Sequence, residues 1–220
     1  MKFRSVFDII GPIMVGPSSS HTAGAAKIGK MARKLFGREP KEIYVQFYGS
    51  FAETYRGHGT DVAIVAGVLD FDTFDTRLPE SIDIATSKNI KITFCKEDAV
   101  PVHPNTAKLT LIDGEESMEI VGISIGGGKI EITELNGFEL RVSGNHPVIF
   151  VVHHDRKGVI ASVSNVLASL DINIGHMEVS RKEKGSVALM VIEVDQFIDP
   201  SVLETLQKLE NVVRVTKVED

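Results

Sequence analysis

The stretch GPSSSHTAGAAKIGKMARKLFG, Gly16 to Gly37, sets three serines, a histidine and a threonine at the mouth of a helical run. Four chemistries suit such residues. Glycine, hydroxyls and a following helix could cradle a phosphate, but the Gly-Lys-Thr/Ser ending of a nucleoside-triphosphate loop is missing. A serine hydrolase would need a Gly-x-Ser-x-Gly elbow, and neighbouring Ser20 and His21 diverge around a helix start. A metal site would need partners, yet His21, His58 and His103 are scattered through the sequence with no His-x-x-x-His spacing. A plain helix cap needs only one hydroxyl, so three serines exceed it.

Two further segments carry the same residue types. FAETYRGHGTD offers a loop with Gly57, His58, Gly59 and Thr60, and VPVHPNTAK offers one with His103, Asn105 and Thr106. Each of the three holds a histidine within three residues of a threonine. If they converge, hydroxyls, helix N-terminal amides and imidazoles would make a pocket for a small carboxylate and for proton transfer.

The elements that must position these loops follow from periodicity. A short helix is expected over Ser5 to Ile10, ended by Gly11-Pro12. Ala25, Ile28, Ala32 and Leu35 recur at helical spacing within His21 to Phe36, with Gly37 and Pro40 as stops. EIYVQFYGSF alternates Ile43, Val45 and Phe47, a strand pattern, and GTDVAIVAGVL is a helix capped by Thr60 or Asp61. Past residue 88 strands take over. IKITF alternates, and KLTLIDGEESMEIVGISIGGGKIEITEL holds three strand runs joined at Asp113-Gly114 and at Gly126–Gly128. The N-terminal domain, 1–144, is therefore expected as an α/β sandwich with an antiparallel meander, in an α+β rather than doubly wound chain.

Gly144, Asn145 and Pro147 supply linker chemistry. From 148 to 220 the rhythm is strand–helix–strand–strand–helix–strand, the βαββαβ ferredoxin-like plan.

Composition limits the function. The 220 residues suffice for one or two domains. The formal charge is −6, with 16 basic and 19 acidic residues before Gly144 and 8 and 11 from there on, so neither half is a basic arm for nucleic acid. No apolar run is long enough to span a bilayer. Asp8 interrupts the apolar start, so no signal peptide is read. The single cysteine, Cys95, excludes an internal disulfide framework, which fits a cytoplasmic location. It also leaves too few thiolates here for an iron–sulfur cluster.

The C-terminal half, carried by VVHHDRKGVIASVSNVLASLDINIGHMEVSR, resembles an ACT domain, the amino-acid-binding regulatory module. It is similar to the C-terminal domain of phosphoglycerate dehydrogenase, which binds serine between paired modules. There the motif is His-x-Asn-Arg-Pro-Gly; here it reads His153-His154-Asp155-Arg156-Lys157-Gly158. The resemblance implies effector positions at His153, Asp155, Gly158 and Asn173, and pairing of two such modules. Asp155 departs from the amide of the motif and would meet a carboxylate ligand with like charge. Lys157 departs from its proline.

GPSSSHTAG, then GS…GHGTD, then an ACT-like domain resembles the beta-subunit family of the two-subunit iron–sulfur L-serine dehydratases, over essentially the whole chain. The resemblance implies an N-terminal domain related to the allosteric substrate-binding domain of some phosphoglycerate dehydrogenases. It also implies a separate alpha subunit holding a [4Fe–4S] cluster, no metal ligands on this chain, and conversion of L-serine to pyruvate and ammonia. Ser18, Ser19, Ser20, Thr22 and Thr60 would hold the substrate, His103 and Asn105 would assist, and His21 or His58 would move the proton. Pyridoxal phosphate is the rival route, but no lysine stands in a loop that singles it out for a Schiff base. The alternative is a non-catalytic, amino-acid-sensing regulatory subunit acting through its ACT domain; a free-standing serine-binding homodimer is a third reading.

Overall fold

The computed structural model describes residues 12–219. The helix expected over Ser5 to Ile10 lies outside them. Two compact units result: one extends to Asn136 and includes Arg141–Ser143, and the other holds Gly137–Leu140 and the chain from Gly144 on.

Among the described residues, the first helical element of the first unit is a π-helical turn, Ser19–Ala23, that runs into α1 (Gly24–Phe36). Ala25, Ile28, Ala32 and Leu35 are all buried on one stripe of α1, as their spacing predicts. Gly37 ends the helix in the left-handed region, φ 79°, and its N–H donates to the Arg33 carbonyl. β1 (Glu42–Tyr48) follows, with Ile43, Val45 and Phe47 buried. Next come α2 (Gly49–Thr54), α3 (Thr60–Val68), a 3₁₀ turn (Leu78–Glu80), α4 (Ser81–Ser87) and β2 (Lys91–Glu97). β1 and β2 pair in parallel, which requires a crossover of this length. β3 (Asn105–Asp113), β4 (Glu116–Gly126), β5 (Lys129–Leu135) and β6 (Phe138–Val142) complete a sheet of order β2-β1-β3-β4-β5-β6. The pairings β1–β3, β3–β4 and β4–β5 are antiparallel, so the expected meander is present.

Helices α1 and α3 meet backbone to backbone. A Cβ on Gly67 would lie 2.0 Å from the Ala26 carbonyl oxygen, and one on Gly29 would lie 2.2 Å from that of Ile64. No residue larger than glycine fits either position without parting the helices. This contact sets the spacing between the two helix N-termini that carry the serine turn and the His58 loop.

In the second unit β7 (Val148–His154), α5 (Val159–Ser169), β8 (Ile174–Arg181), β9 (Val187–Val194), α6 (Pro200–Gln207) and β10 (Val212–Val218) follow the expected order. The sheet order is β10-β7-β9-β8, antiparallel throughout. Its core joins Ile149 and Val151 to Met190 and Ile192, under Val163 and Leu167 of α5 and Val202 and Leu206 of α6. The molecule is thus α+β, with a ferredoxin-like second half. Among the described residues no helix is long and apolar enough to cross a membrane.

Two expectations need correction. Thr60 and Asp61 do not cap α3: Gly59 does, at φ 64°, with no side-chain cap bond. The Asp61 carboxylate instead accepts from the Val62 N–H next to it. The segment before His58 is not all loop, since Phe51 is buried in α2.

Candidate functional site

The serine turn is built from its first hydroxyl inward. Ser18, extended at φ −141°, accepts the His21 N–H on its Oγ at 3.1 Å. The Ser18 carbonyl accepts from both the Thr22 and the Ala23 N–H, the second being the wide π-type bond. Gly16 lies under this turn: a Cβ there would meet the Thr22 side chain at 2.5 Å. Ser18 is therefore the cap, and Ser19 and Ser20 are left as half-buried hydroxyls on the turn.

The His21 imidazole is held on both nitrogens. Its Nδ1 lies 3.4 Å from Ser18 Oγ and its Nε2 3.0 Å from Ser50 Oγ. Its ring meets the edge of His58 at 4.8 Å between centroids and that of Phe51 at 5.3 Å. Burial, and then the neighbouring His58 charge, lower its pKa from the usual 6.5. The neutral imidazole is therefore favoured.

The His58 loop is tied to the same turn. The buried Thr22 hydroxyl donates to the His58 carbonyl at 3.0 Å, which commits it to joining loops. His58 Nδ1 and Thr60 Oγ1 are both buried with no hydrogen-bond partner among the described residues. The third loop reaches the site through α2. Gly49 bridges to Asn105, the Phe51 N–H points to the Pro104 carbonyl, and a Cβ on Gly49 would lie 2.7 Å from that oxygen. His103 caps its own loop, its Nδ1 accepting from the Asn105 N–H at 3.1 Å, while Thr106 donates to the His103 carbonyl. Asn105 Nδ2 donates to the Ser124 carbonyl at 3.3 Å.

The structure thus brings His21 and His58 into contact and hangs the His103–Asn105 loop on the helix that supplies Ser50. Ser50 is absent from the sequence-based set. Its signal was the Gly49-Ser50 pair directly after a strand. Among the described residues no three His, Cys, Asp or Glu side chains gather as a metal site. Cys95 is a lone thiol on β2.

The second unit treats its candidates differently. His153 is buried, its Nδ1 on the His154 carbonyl at 2.9 Å and its Nε2 without a partner among the described residues. The Asp155 carboxylate accepts from the Gly185 N–H at 2.9 Å and from Arg181 Nη1 at 3.0 Å, and these hold its pKa below the usual carboxylate value. Asn173 donates to the Asp195 carboxylate at 2.6 Å. Gly158 opens α5 at φ 90°, with open space where a side chain would stand. His153 is the last residue but one of β7 and Asn173 precedes β8, and β9 lies between those strands, so one unit does not bring the set together.

The family model described as "Serine dehydratase beta chain" matches residues 5–134, and that of the "ACT domain" matches residues 147–211. The chain is 68% identical over 220 residues to a "Probable L-serine dehydratase, beta chain" of Bacillus subtilis, each covered in full. It is 34% identical over 222 residues to an "L-serine dehydratase, beta chain" of Peptoniphilus asaccharolyticus, again with both chains covered in full. It is 24% identical to a "D-3-phosphoglycerate dehydrogenase" of Bacillus subtilis, over 89% of this chain and 37% of that one. The chain belongs to the serine dehydratase beta chain family.

Proposed function

We propose that this chain is the beta subunit of an L-serine dehydratase that forms pyruvate and ammonia by α,β-elimination, together with a separate alpha subunit. The observation that carries the reading is the His21 imidazole, pinned between the Ser18 and Ser50 hydroxyls and set against His58. The residues of this chain do not fit an iron–sulfur cluster, because one thiol cannot ligate it. The [4Fe–4S] cluster of this reading therefore belongs to the alpha subunit, where it supplies Lewis acidity. No step of this chain's own chemistry runs through it.

The work left to this chain is to hold serine and move a proton. A base that takes a weakly acidic α-proton must be neutral at working pH, and burial beside His58 keeps His21 so. The Ser18 and Ser50 hydroxyls, one on each ring nitrogen, fix the ring's direction, and the nitrogen that carries no proton is the basic one. Ser19 and Ser20 offer hydroxyls to the substrate carboxylate. Thr22 keeps the His58 loop against the turn, and Thr60 and the His103–Asn105 loop line the same region. The aminoacrylate released by elimination tautomerises and hydrolyses without further help from these groups.

The test is isolation of the tagged chain from its own cells without oxygen, followed by an assay of pyruvate formation from L-serine. An active complex with an iron-bearing partner, silenced by His21→Ala without loss of the partner, is the expected result. A chain that is inactive, iron-free and alone overturns the reading. Altered activation by amino acids with turnover intact in His21→Ala would favour the sensing subunit instead. The reading also includes pairing of two ACT units, since β8 leaves one sheet edge unpaired. A copy number of two by light scattering is expected.

A further inference from the structure

Ser124 sits near the end of β4, completely buried, with its Oγ free of any hydrogen-bond partner among the described residues. A buried hydroxyl in that state costs stability, and an alanine of nearly equal size would avoid the cost. Stability alone therefore does not explain the residue. Its neighbours suggest what does. The Ser124 carbonyl accepts from the Asn105 carboxamide, which fixes the third loop. Its Oγ faces Gly24, where the π-turn becomes α1: a Cβ on Gly24 would lie 2.1 Å from Ser124 Oγ and 2.7 Å from Ser124 Cβ. Two residues on, Gly126 has open backbone at φ 101°, and a Cβ there would stand 3.8 Å from Ser20 Oγ. One strand end thus touches both the serine turn and the Asn105 loop.

We propose that Ser124 is a positioning residue of the serine site: it sets the distance between the serine turn and the Asn105 loop, and its buried hydroxyl is available to the turn during turnover. The proposal rests on the reading of the site as catalytic. It assigns a role to a strand residue that neither loop motif includes. It also explains why residue 24, at the end of SSSHTAG, is glycine, since the hydroxyl occupies the space of its side chain.

The experiment uses the complete two-subunit enzyme carrying Ser124→Ala, with thermal melting, subunit assembly and L-serine kinetics measured on one preparation. The expected result is a melting temperature equal to or above that of the parent, unchanged assembly, and a kcat lowered at least tenfold with KM moved less than threefold. A merely structural serine would not separate kcat from stability in this way. Unchanged kcat, or a loss that follows a fall in melting temperature or assembly, overturns the proposal. Gly24→Ala alone should lose activity, and Gly24→Ala with Ser124→Gly should regain assembly but not full kcat. Full recovery in that double variant would show that only space matters at Ser124, and would also overturn the proposal. His21→Ala separates the two readings. If His21→Ala keeps full turnover, the catalytic reading of the site has failed. If it abolishes turnover while Ser124→Ala does not change it, only the positioning role has failed.

Discussion

The two units hold similar inventories of histidine, acid and amide, and use them in opposite ways. In the first, His21 and His58 face each other across 4.8 Å, and Thr60, His58 and Ser124 all keep a buried polar atom without a partner among the described residues. In the second, Asp155 is tied to Arg181 and Gly185, and Asn173 to Asp195, which leaves unmet bonding at His153 Nε2. Polar groups that satisfy one another stabilise a shape; polar groups held apart from partners wait for a ligand. The same residue types therefore mark a candidate reaction site in one unit and mostly a hairpin brace in the other.

The contrast predicts where substitutions act on chemistry and where on folding. His21→Ala should lower kcat by about 10²- to 10⁴-fold, the range for losing a positioned base, with assembly intact. A loss under threefold would move the catalytic role off this turn. Gly67→Ala should then damage the same site without changing any side chain that lines it. Its methyl group would enter the Ala26 backbone, so α1 and α3 must separate. We expect a stability loss of about 3 kcal/mol, the upper end for overpacking, read by urea unfolding. An equivalent melting curve would mean that the helix contact is looser than the geometry shows.

How much of this was legible beforehand depends on what held each element in place. α1, β1 and the whole βαββαβ half have strong apolar periods, and their patterns translate directly into buried faces. α2 does not: six residues give no period, and the helix stands because Phe51 is buried and its start is pinned to Pro104 and Asn105. α4, at seven residues, is nearly as short and is held by the Ser81 hydroxyl on the Val62 carbonyl. The parallel pairing of β1 with β2 is likewise set by tertiary packing. At the site, the three loops were visible as motifs, but the piece that joins them was not. Ser50 gains its meaning only from His21, 29 residues away in sequence. Thr60 looked like a cap because its type suits one. Gly59 took that position because a left-handed residue was needed there, a requirement that composition does not reveal.

A pH profile sharpens the histidine side of the comparison. Since the folded pKa of His21 lies below 6.5, the unfolded chain binds its proton first as pH falls. Stability is complete above pH 6.5 and declines as pH drops toward the folded value. For turnover the sign is the same: the acid limb of kcat/KM should fall below 6.5, as the base becomes protonated. His58→Gln removes the neighbouring charge and should move that limb upward, toward the unperturbed value. A downward move would place the base elsewhere.

The smallest effect is expected in the second unit, and its direction is the informative part. Asp155 ties the end of β7 to the β8–β9 hairpin through one backbone N–H and one exposed arginine. Its pKa is lowered first by the Gly185 N–H and then by Arg181, so the carboxylate contributes stability above the ordinary value of about 4 and loses it as pH falls through the folded value. Asp155→Asn keeps an acceptor for Gly185 but drops the charge. The urea midpoint of the variant should be slightly below the parent at pH 7, and the two should converge in acid, where the parent carboxyl is also neutral. Solvent and salt screen such an exposed pair, so added salt should narrow the gap at neutral pH as well. If the variant instead kept its midpoint and lost a response of turnover to added amino acids, Asp155 would be reading a ligand rather than bracing a hairpin. The second unit would then resemble the first in holding a charge for something outside itself.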